Sequence, residues 1–433
     1  MATRKFFRQT ILLFIILLFP SRLFMSSSKL SSIPLVYAQT EAEVRGAWLN
    51  PTAFNSPERR QATLEKILAA NLNTVFLAAY PLTNEYGWNH GWSNETDFKA
   101  MLSMLREKGI SVHVWLCNMY RTGYNSGAGQ ADFTDLAEQE AQIEWALDWL
   151  RQYNQYPELD GVHFDYIRYG WTHDTNKTKM EAVTATIKLA NQAIKANFPN
   201  KFLTAAVFHS GPMWTNYSQD RYIPQWFLNW SSLNPGNIYV SQSSDSNHPY
   251  IPNFFKGQQD PPLWFKTDNL DAIVPMMYST SDQEWNDDVD SWKSFLEFQG
   301  KNINPVIMGL GWMPPNDNDP DRKLDAPGIV RKIEYGHQQG VRGFGIFQLG
   351  AGSVNDQPLI DALKNGPFSQ PAPSWLSSNQ KPETDIDGSG KTNGLDLGYL
   401  LKFWATNQPE TNLDGQGSVG KNDAMILFGN YCR

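Results

Sequence analysis

The most informative stretch of this chain is Leu159–Tyr169, which has the sequence LDGVHFDYIRY. Its short run of apolar and aromatic residues predicts a buried β-strand. Side chains alternate along a strand, so His163 and Asp165 share one face while Val162 and Phe164 share the other. The apolar pair is expected to face covering helices. His163 and Asp165 then point to the opposite side of the sheet, with Asp165 at the end of the strand.

Similar apolar runs recur along the chain and alternate with amphipathic segments, a pattern typical of repeated βα units. Eight strands are predicted, at Val44–Asn50, Thr74–Tyr80, Ile110–Asn118, Gly161–Tyr166, Phe202–Phe208, Ala272–Tyr278, Pro305–Gly311 and Gly343–Leu349. Helices are predicted at Pro57–Ala70, Glu95–Lys108, Thr134–Gln152, Lys177–Asn197, Asp287–Gln299 and Gly328–Gln339. Residues 41–364 are therefore predicted to form an α/β fold, a (β/α)₈ TIM barrel with loop insertions.

In such a barrel the active groups lie at the C-terminal ends of the strands, where the βα loops form a cup. Asp165 is the leading catalytic candidate, and its neighbours Tyr166 and Arg168 are able to hold it and set its pKa. The candidates for substrate binding are aromatic or hydrogen-bonding residues near strand ends: Trp48, Tyr80, Trp88, Asn118, His163, Tyr166, Arg168, His209, Tyr278, Trp312 and Gln348. For His163, a buried core histidine is the competing interpretation.

The composition limits the possible functions. A net charge of −8 argues against a general affinity for nucleic acid, whose backbone requires clustered Lys and Arg. The chain has 16 Trp and 17 Tyr, more than a core usually needs, and such rings suit clefts that stack on sugars. The two cysteines, Cys117 and Cys432, provide neither a disulfide framework nor a zinc site.

Residues 1–38 are predicted to be a signal peptide. Basic residues precede an apolar run at Ile11–Phe19, and the small residues of Val36–Ala38 offer a cleavage point. The apolar run is shorter than the roughly 20 residues that a membrane span needs. We therefore expect export to an extracellular or cell-surface location, with no membrane span after signal removal. An uncleaved anchor is the alternative, because the segment is long for a signal peptide.

The composition changes after the barrel. Residues 365–384 are dense in Pro, Ser, Asn and Gln and are predicted to be a linker. Residues 385–433 contain two segments 27 residues apart, each with oxygen-bearing side chains at positions 1, 3, 5 and 12 and Gly at position 6, the layout of an EF-hand calcium loop. The predicted ligands are Asp385, Asp387, Ser389, Lys391 (through its main-chain carbonyl) and Asp396 in the first loop, and Asn412, Asp414, Gln416 and Asp423 in the second.

This pair of loops, each followed by a helix-like pattern, resembles the duplicated loop-helix of dockerin domains. The resemblance implies a small all-α module that binds Ca²⁺ and docks onto a cohesin-type scaffold protein. Ser389 and Gln416 stand where a carboxylate is usual, and Asn412 opens the second loop, so weaker calcium binding is expected there. The alternative to docking is that calcium only stabilises a small domain that has no docking partner. No cofactor is expected in the barrel.

The barrel resembles the glycosyl-hydrolase-like 10 proteins. The specific part is the DYIRY run at Asp165–Tyr169. Supporting stretches are Arg45–Trp48, Tyr80–Pro81, Val112–Asn118, Pro275–Tyr278 and Gly309–Gly311. The resemblance implies a secreted glycoside hydrolase that acts on O-glycosyl bonds of an extracellular or cell-wall polysaccharide. The family 10 xylanases are different, because they use glutamates after strands four and seven, and the seventh strand here ends without one.

Glycoside hydrolysis commonly needs two carboxyl groups, one of which donates a proton. Asp165 is expected to be the general acid. Glu85, in the loop after the second strand, is the candidate for the second group, with Asp282 and Glu284 as alternatives. A substrate N-acetyl group is a further option. The fourth strand resembles the Asp-Gly-x-Asp-x-Asp-x-Glu strand of chitinases, but Ile167 stands at the position of their catalytic Glu.

Two other functions are compatible with the sequence. The first is a non-catalytic glycan-binding barrel that keeps the cup without an acid pair. The second is a metal-dependent hydrolase, such as a sugar deacetylase, that uses His163, Asp165 and His209. Metal sites of that kind usually contain closely paired histidines, and the seven histidines here form no His-x-His pair.

Overall fold

The fold is taken from a computed structural model of the chain. The residues that the structure describes are 42–80, 94–120, 131–170, 175–213, 222–237, 239, 250–312, 325–350, 354–377, 394–402, 404 and 424. Within these ranges, no helix has both the length and the apolar composition needed to cross a bilayer.

Eight parallel strands form the barrel and confirm the predicted (β/α)₈ class for this part of the chain. They are β1 (Val44–Leu49), β2 (Thr74–Ala78), β3 (Ser111–Cys117), β4 (Gly161–Asp165), β5 (Phe202–Phe208), β8 (Ala272–Met276), β9 (Met308–Gly311) and β10 (Gly343–Phe347). Two short strands, β6 (Pro212–Met213) and β7 (Ile251–Pro252), form a separate antiparallel pair after β5. The order around the sheet is β8-β5-β4-β3-β2-β1-β10-β9. A parallel bridge between Ile273 and Val306 closes the ring.

Helices cover the outside of the barrel. They are α1 (Pro57–Ala69), α2 (Glu95–Glu107), α3 (Leu136–Gln152), α4 (Lys177–Asn197), α5 (Gln225–Leu233), α6 (Asn253–Lys256), α7 (Pro261–Lys266), α8 (Asp282–Phe298), α9 (Ala326–Gln338) and α10 (Gln357–Asn365). A further helix, α11 (Gly394–Lys402), lies in the C-terminal region. Most helices start at a side-chain cap; Ser56, for example, accepts a hydrogen bond from the amide of Arg59 and begins α1.

The core has two layers, as expected from the alternation of strand side chains. Val162 and Phe164 of β4 belong to the large outer cluster between strands and helices. Trp48 and Phe76 belong to the smaller cluster inside the barrel, and the His163 ring lies 4.2 Å from that of Phe76. The predicted orientation of β4 is therefore confirmed, with Asp165 at the C-terminal strand ends, which we call the rim.

The opposite end of the barrel, which we call the floor, is covered by the segment 370–377. Leu376 is fully buried in the interior cluster, and its carbonyl accepts hydrogen bonds from Ser111 Oγ (2.7 Å) and lies 3.0 Å from His113 Nε2. Ser374 Oγ lies 2.6 Å from Thr74 Oγ1. These residues fall in the predicted linker, so its start is corrected: the chain remains part of the barrel to residue 377 because a leucine fills the floor.

A buried ion pair also lies at the floor. Arg45 Nε donates to Glu43 Oε2 at 2.7 Å, and Glu43 Oε1 lies 2.5 Å from Nε2 of His337. Burial alone would raise the pKa of Glu43, but the bonds to His337 and Arg45 lower it overall. Arg45 therefore has a structural role away from the rim.

Candidate functional site

Strand β4 carries Asp165 to the rim, where both carboxyl oxygens accept hydrogen bonds. Oδ2 accepts from the indole Nε1 of Trp115 at 3.0 Å, and Oδ1 accepts from the main-chain amide of Tyr166 at 2.6 Å. Only 5% of the Asp165 surface is exposed. The carboxyl group is thus held in one orientation by a neighbouring strand and by its own turn.

Burial raises the pKa of Asp165, because removal from water disfavours the charged form. The nearby charge of Arg168 and the two hydrogen bonds from Tyr166 and Trp115 oppose this effect, since they favour the carboxylate. Burial prevails. The group therefore keeps its proton to a higher pH than an exposed aspartate, which is the property required of a general acid.

The turn after β4 presents Tyr166 and Arg168 beside the acid. Tyr166 has a positive φ of 52°, a left-handed conformation that is uncommon for a bulky residue. Its carbonyl accepts from the amides of Arg168 (2.8 Å) and Met119 (3.0 Å), which fixes the turn. Non-glycine residues in this conformation occur often at functional sites.

An aromatic wall continues from the acid across the barrel. The ring of Tyr278 stacks on that of Phe347, with centroids 5.1 Å apart, and Phe347 packs edge-on against Trp115 at 6.2 Å. Burial raises the pKa of Tyr278 well above its usual value, and the charge of Asp165 adds to this. Tyr166, Tyr278 and Phe347 remain partly exposed. We call Trp115, Asp165, Tyr166, Arg168, Tyr278 and Phe347 the Asp165 cluster.

His163 lies below this cluster in the interior of the barrel. It is fully buried, Nε2 accepts from Trp48 Nε1 at 3.2 Å, and Nδ1 lies 2.9 Å from Thr204 Oγ1. Burial lowers its pKa well below the usual value, so the ring is neutral. Both ring nitrogens are occupied. This placement is that of a core histidine and corrects the expectation of a substrate contact.

Three aromatic residues that were predicted to contact substrate are also buried. Trp48 packs inside the barrel against Phe76, at a centroid distance of 4.8 Å. The Tyr80 hydroxyl is 2.8 Å from that of Tyr153, on the helical side of the sheet. Trp312 is buried and donates to Asp356 at 2.9 Å. In this conformation none of the three presents a ring face to the cup, because each fills space between packed elements.

Three predicted polar contacts lie at strand ends. Asn118 is buried, and its amide lies within hydrogen-bonding distance of Gln142 and of the carbonyl of Asp165. His209 is partly exposed, and its Nδ1 accepts from the amide of Gly211 at 3.1 Å. Gln348 is partly exposed and accepts from Asn50. His209, whose Nε2 also lies 2.5 Å from Asn253 Nδ2, and Gln348 therefore remain partly exposed at strand ends, whereas Asn118 supports the turn that follows β3.

The second catalytic group has no described position. Glu85 and Trp88 lie outside the described residues, as do the predicted signal peptide and the calcium ligands other than Asp396, which falls within α11. Asp282 forms ion pairs with Arg331 (2.6 Å) and Lys332 (3.6 Å). Glu284 accepts from Ser279 at 2.6 Å. Asp282 thus joins α8 to α9, Glu284 bonds to the segment after β8, and neither has a described contact with Asp165.

Sequence reasoning missed Trp115 and Phe347. Both were detectable in principle, because alternation places Trp115 on the same face of β3 as Cys117, and Phe347 ends the last strand. In the parallel register Trp115 pairs with His163 and Cys117 pairs with Asp165, so the indole of Trp115 reaches Asp165 diagonally across the two strands. Register between strands is the information that a single sequence lacks.

Two solved structures of an endo-β-1,4-mannanase from Thermotoga petrophila are similar to this chain. One is 13% identical and covers 75% of this chain and 76% of its own, with a TM-score of 0.52. The other, from strain RKU-1 with maltose and glycerol, is 13% identical and covers 75% and 98%, with a TM-score of 0.50. What they share with this chain is the fold.

Neither a protein-family model nor a curated protein matches the sequence. The resemblance to the glycosyl-hydrolase-like 10 proteins and to dockerin domains therefore stays a prediction. The Asp165 cluster lies at the C-terminal strand ends, where TIM-barrel enzymes place their active sites.

Proposed function

We propose that this chain is a glycoside hydrolase that acts on an extracellular or cell-wall polysaccharide, with Asp165 as the proton donor. The observation that carries the proposal is the buried carboxyl group of Asp165, fixed at the rim beside the partly exposed rings of Tyr166, Tyr278 and Phe347. In such an arrangement the aromatic rings can stack on a sugar ring while the protonated carboxyl group donates to its glycosidic oxygen. The mannanase fold is consistent with this chemistry.

In the proposed reaction Asp165 transfers its proton to the glycosidic oxygen as the bond to the anomeric carbon breaks. The electron pair of that bond stays with the departing oxygen, and water completes the hydrolysis. Glu85, or an N-acetyl group of the substrate, is the proposed second group that stabilises or attacks the anomeric carbon. Tyr166, Arg168, His209, Tyr278 and Gln348 are the proposed contacts around the cup.

We also propose that the enzyme is exported by its N-terminal signal and tethered through its C-terminal module. The support is the sequence alone: the two loops that carry Asp385 and Asn412 have the spacing of calcium loops. Ca²⁺ would fold this module, and a cohesin-type protein would hold it at a surface or scaffold.

The test is incubation of the purified full chain with a panel of glycans, including β-1,4-mannan, chitin and peptidoglycan strands, with mass analysis of the products. Wild-type protein should release shortened glycans, whereas Asp165→Asn should release about 10²–10⁴-fold less, the contribution typical of general acid catalysis. Asp148→Asn is a matched control because that exposed carboxylate lies near the end of α3 and pairs with Arg151 at 2.7 Å. Equal activity of the Asp165→Asn variant would contradict the proposal.

A non-catalytic glycan-binding barrel is the second candidate. It is favoured by the ion pair of Asp282 with Arg331 and the hydrogen bond of Glu284 from Ser279, which leave both carboxylates without a described contact to Asp165. Glycan retention on an affinity gel without any release of reducing ends would support it over hydrolysis.

A further inference from the structure

The guanidinium group of Arg168 lies between two aromatic rings at the rim. Its Cζ is 4.2 Å from the ring centroid of Tyr166, which follows β4, and 4.2 Å from that of Phe208, which ends β5. Both rings are partly exposed. The Phe208 ring packs directly against the backbone of Gly257, where an added Cβ would lie 2.8 Å from Phe208 Cδ2. The cation is therefore held between the ends of two neighbouring strands, at the same end of the barrel as Asp165.

Among the described residues, Arg168 is the one buried arginine without an anionic partner. Four arginines are buried in that part of the chain. The other three form ion pairs, Arg45 with Glu43 at 2.7 Å, Arg60 with Asp97 at 2.6 Å and Arg106 with Asp160. These pairs show how the fold normally compensates a buried guanidinium, and Arg168 departs from that pattern at the rim.

The Arg168 side chain also lacks a hydrogen-bond acceptor. The residue is only 8% exposed, and its buried Nη1 has no partner among the residues that the structure describes. An arginine is always charged and presents five donors in a planar fork. A buried charged donor without an acceptor is unfavourable, and departures of this kind occur chiefly at functional sites. A ligand that supplies the acceptor would account for the arrangement.

We propose that Arg168 forms a subsite for a carboxylate group of the glycan, so that the substrate is an acidic polysaccharide. This inference rests on the proposed function and narrows its substrate class. The fork of a guanidinium matches the two oxygens of a carboxylate, and the rings of Tyr166 and Phe208 already hold the fork in place. Little conformational entropy is therefore lost on binding, and the partly water-free surroundings strengthen the attraction. The oxygens of Asp165 accept from Trp115 and Tyr166 instead.

Two kinds of sugar carry a carboxylate of this type. A hexuronic acid carries it on the sugar ring, and a sugar with a lactyl ether, as in peptidoglycan strands, carries it on a side chain. A neutral glycan such as β-1,4-mannan or chitin offers Arg168 only hydroxyl or amide groups and leaves its charge uncompensated. We therefore expect the protein to discriminate between an acidic glycan and the same glycan without its charge.

The first experiment measures binding and needs no catalysis. The full chain carrying Asp165→Asn is titrated calorimetrically with oligogalacturonate, glucuronoxylan fragments and peptide-free peptidoglycan strands. Each is compared with its carboxyl-reduced form, in which the carboxylate has become a primary alcohol. At least one native glycan should bind about tenfold more tightly than its reduced form, because a charge-assisted pair is lost on reduction.

The same titrations on arginine variants assign this preference to a residue. The preference should disappear when Arg168→Gln is added and persist in part with Arg168→Lys, which keeps the charge without the fork. Arg151→Gln is the matched control, because it removes the same charge from an exposed side chain of α3 and should leave the preference intact. Equal binding of native and reduced glycans by the chain with Arg168 intact would overturn the proposal. An unchanged preference in a folded Arg168→Gln protein would also overturn it, and if that variant does not fold, Arg168→Lys decides.

The second experiment measures kcat/KM of the wild-type chain on the same pairs of glycans. A preference for the native form that is lost in Arg168→Gln supports the proposal, and the glycan that shows it distinguishes a ring carboxylate from a lactyl one. If mannan or chitin is cleaved and no acidic glycan is preferred, the hydrolase function stands and the carboxylate subsite is overturned. If an acidic glycan is bound through Arg168 and none is cleaved, the hydrolase function fails while the subsite stands.

Discussion

The carboxyl group of Asp165 accepts a side-chain hydrogen bond from the indole of Trp115, which lies on the neighbouring strand. Trp115 donates to Oδ2 of Asp165 across the β3–β4 pairing, and the amide of Tyr166 supplies the second donor. Both bonds favour the carboxylate over the protonated acid. Trp115 therefore both orients the group and limits how far burial raises its pKa.

Replacing Trp115 by Phe should separate these effects. Loss of the donor should raise the pKa of Asp165 further, and the proposed mechanism uses the protonated form, so the alkaline limb of the pH–rate profile should move to higher pH. The rate at the optimum should fall about tenfold because the acid is less well oriented. Trp149→Phe is the control, since the indole nitrogen of Trp149 is also buried but has no hydrogen-bond partner among the described residues. An unchanged limb in Trp115→Phe would show that the bond does not affect ionisation.

Asp260 is a second buried carboxyl group, outside the Asp165 cluster. It begins α7, where its side chain accepts from the amide of Leu263, and it also accepts from Trp226 Nε1 at 3.1 Å. Burial raises its pKa to about 7, although the bonds from Trp226 and Leu263 oppose this. The folded protein therefore holds a proton here that the unfolded chain has released at the same pH.

The stability of the protein should consequently fall as pH rises from about 4, near the pKa of an unfolded aspartate, to about 7. A difference of about three pKa units corresponds to roughly 4 kcal/mol at most. Asp260→Asn keeps the acceptor without the charge and should flatten this decline in thermal melts recorded between pH 5 and pH 8. An identical pH dependence in the variant would assign the decline to other groups.

At the level of elements, the sequence was sufficient to predict the eight barrel strands and most helices. Phe202–Phe208 and Lys177–Asn197 agree at both ends because their apolar periodicity is strong. Helix α8 begins five residues before its predicted start because Ser281 caps it through the amide of Glu284. The β9 strand begins three residues later than predicted, after the single bridge at Val306.

The site was only partly predictable. Tyr166, Arg168 and Tyr278 were predicted to surround Asp165 because strand ends converge at the rim of a barrel. Trp48, Tyr80 and Trp312 were expected at the same rim, but their rings turn into packed layers. The position of a residue along a strand does not determine whether its aromatic ring lines a cavity or packs against a neighbouring side chain.

Strand β4 lacks room for any side chain at its first residue. A Cβ on Gly161 would lie 2.3 Å from the carbonyl oxygen of Phe202 and 2.7 Å from the His113 ring. Gly161→Ala should destabilise the fold by about 1–3 kcal/mol or prevent folding, because two strands would have to separate. Gly236→Ala is the control, with nothing near the added Cβ. Urea unfolding of both variants is the measurement, and equal midpoints would contradict the expected clash.

For the whole molecule, the decisive feature beyond the ring of strands is the segment that covers the floor. The amide of Glu43 donates to the carbonyl of Pro373 at 2.9 Å, and Trp375 Nε1 donates to the carbonyl of Arg342 at 2.8 Å. These bonds tie the segment to the starts of β1 and β10, while Leu376 fills the interior. Closure of the barrel therefore requires residues that composition alone assigns to a linker.

Leu376→Ala should lower the free energy of unfolding by about 2–5 kcal/mol, the usual cost of a large-to-small change in a core. Leu233→Ala is the control, because that side chain is 72% exposed and should change stability by less than about 0.5 kcal/mol. Chemical denaturation of the two variants is the measurement. Equal effects would mean that the floor segment contributes little to the fold.

The floor segment also fixes where the described part of the barrel ends. Ser377 is at the starts of the strands, and Asp165 is at their ends, so about 15–20 Å of barrel separates them. The part of the barrel that the structure describes therefore ends on the face opposite the candidate site, so a label attached to Ser377 would lie remote from Asp165.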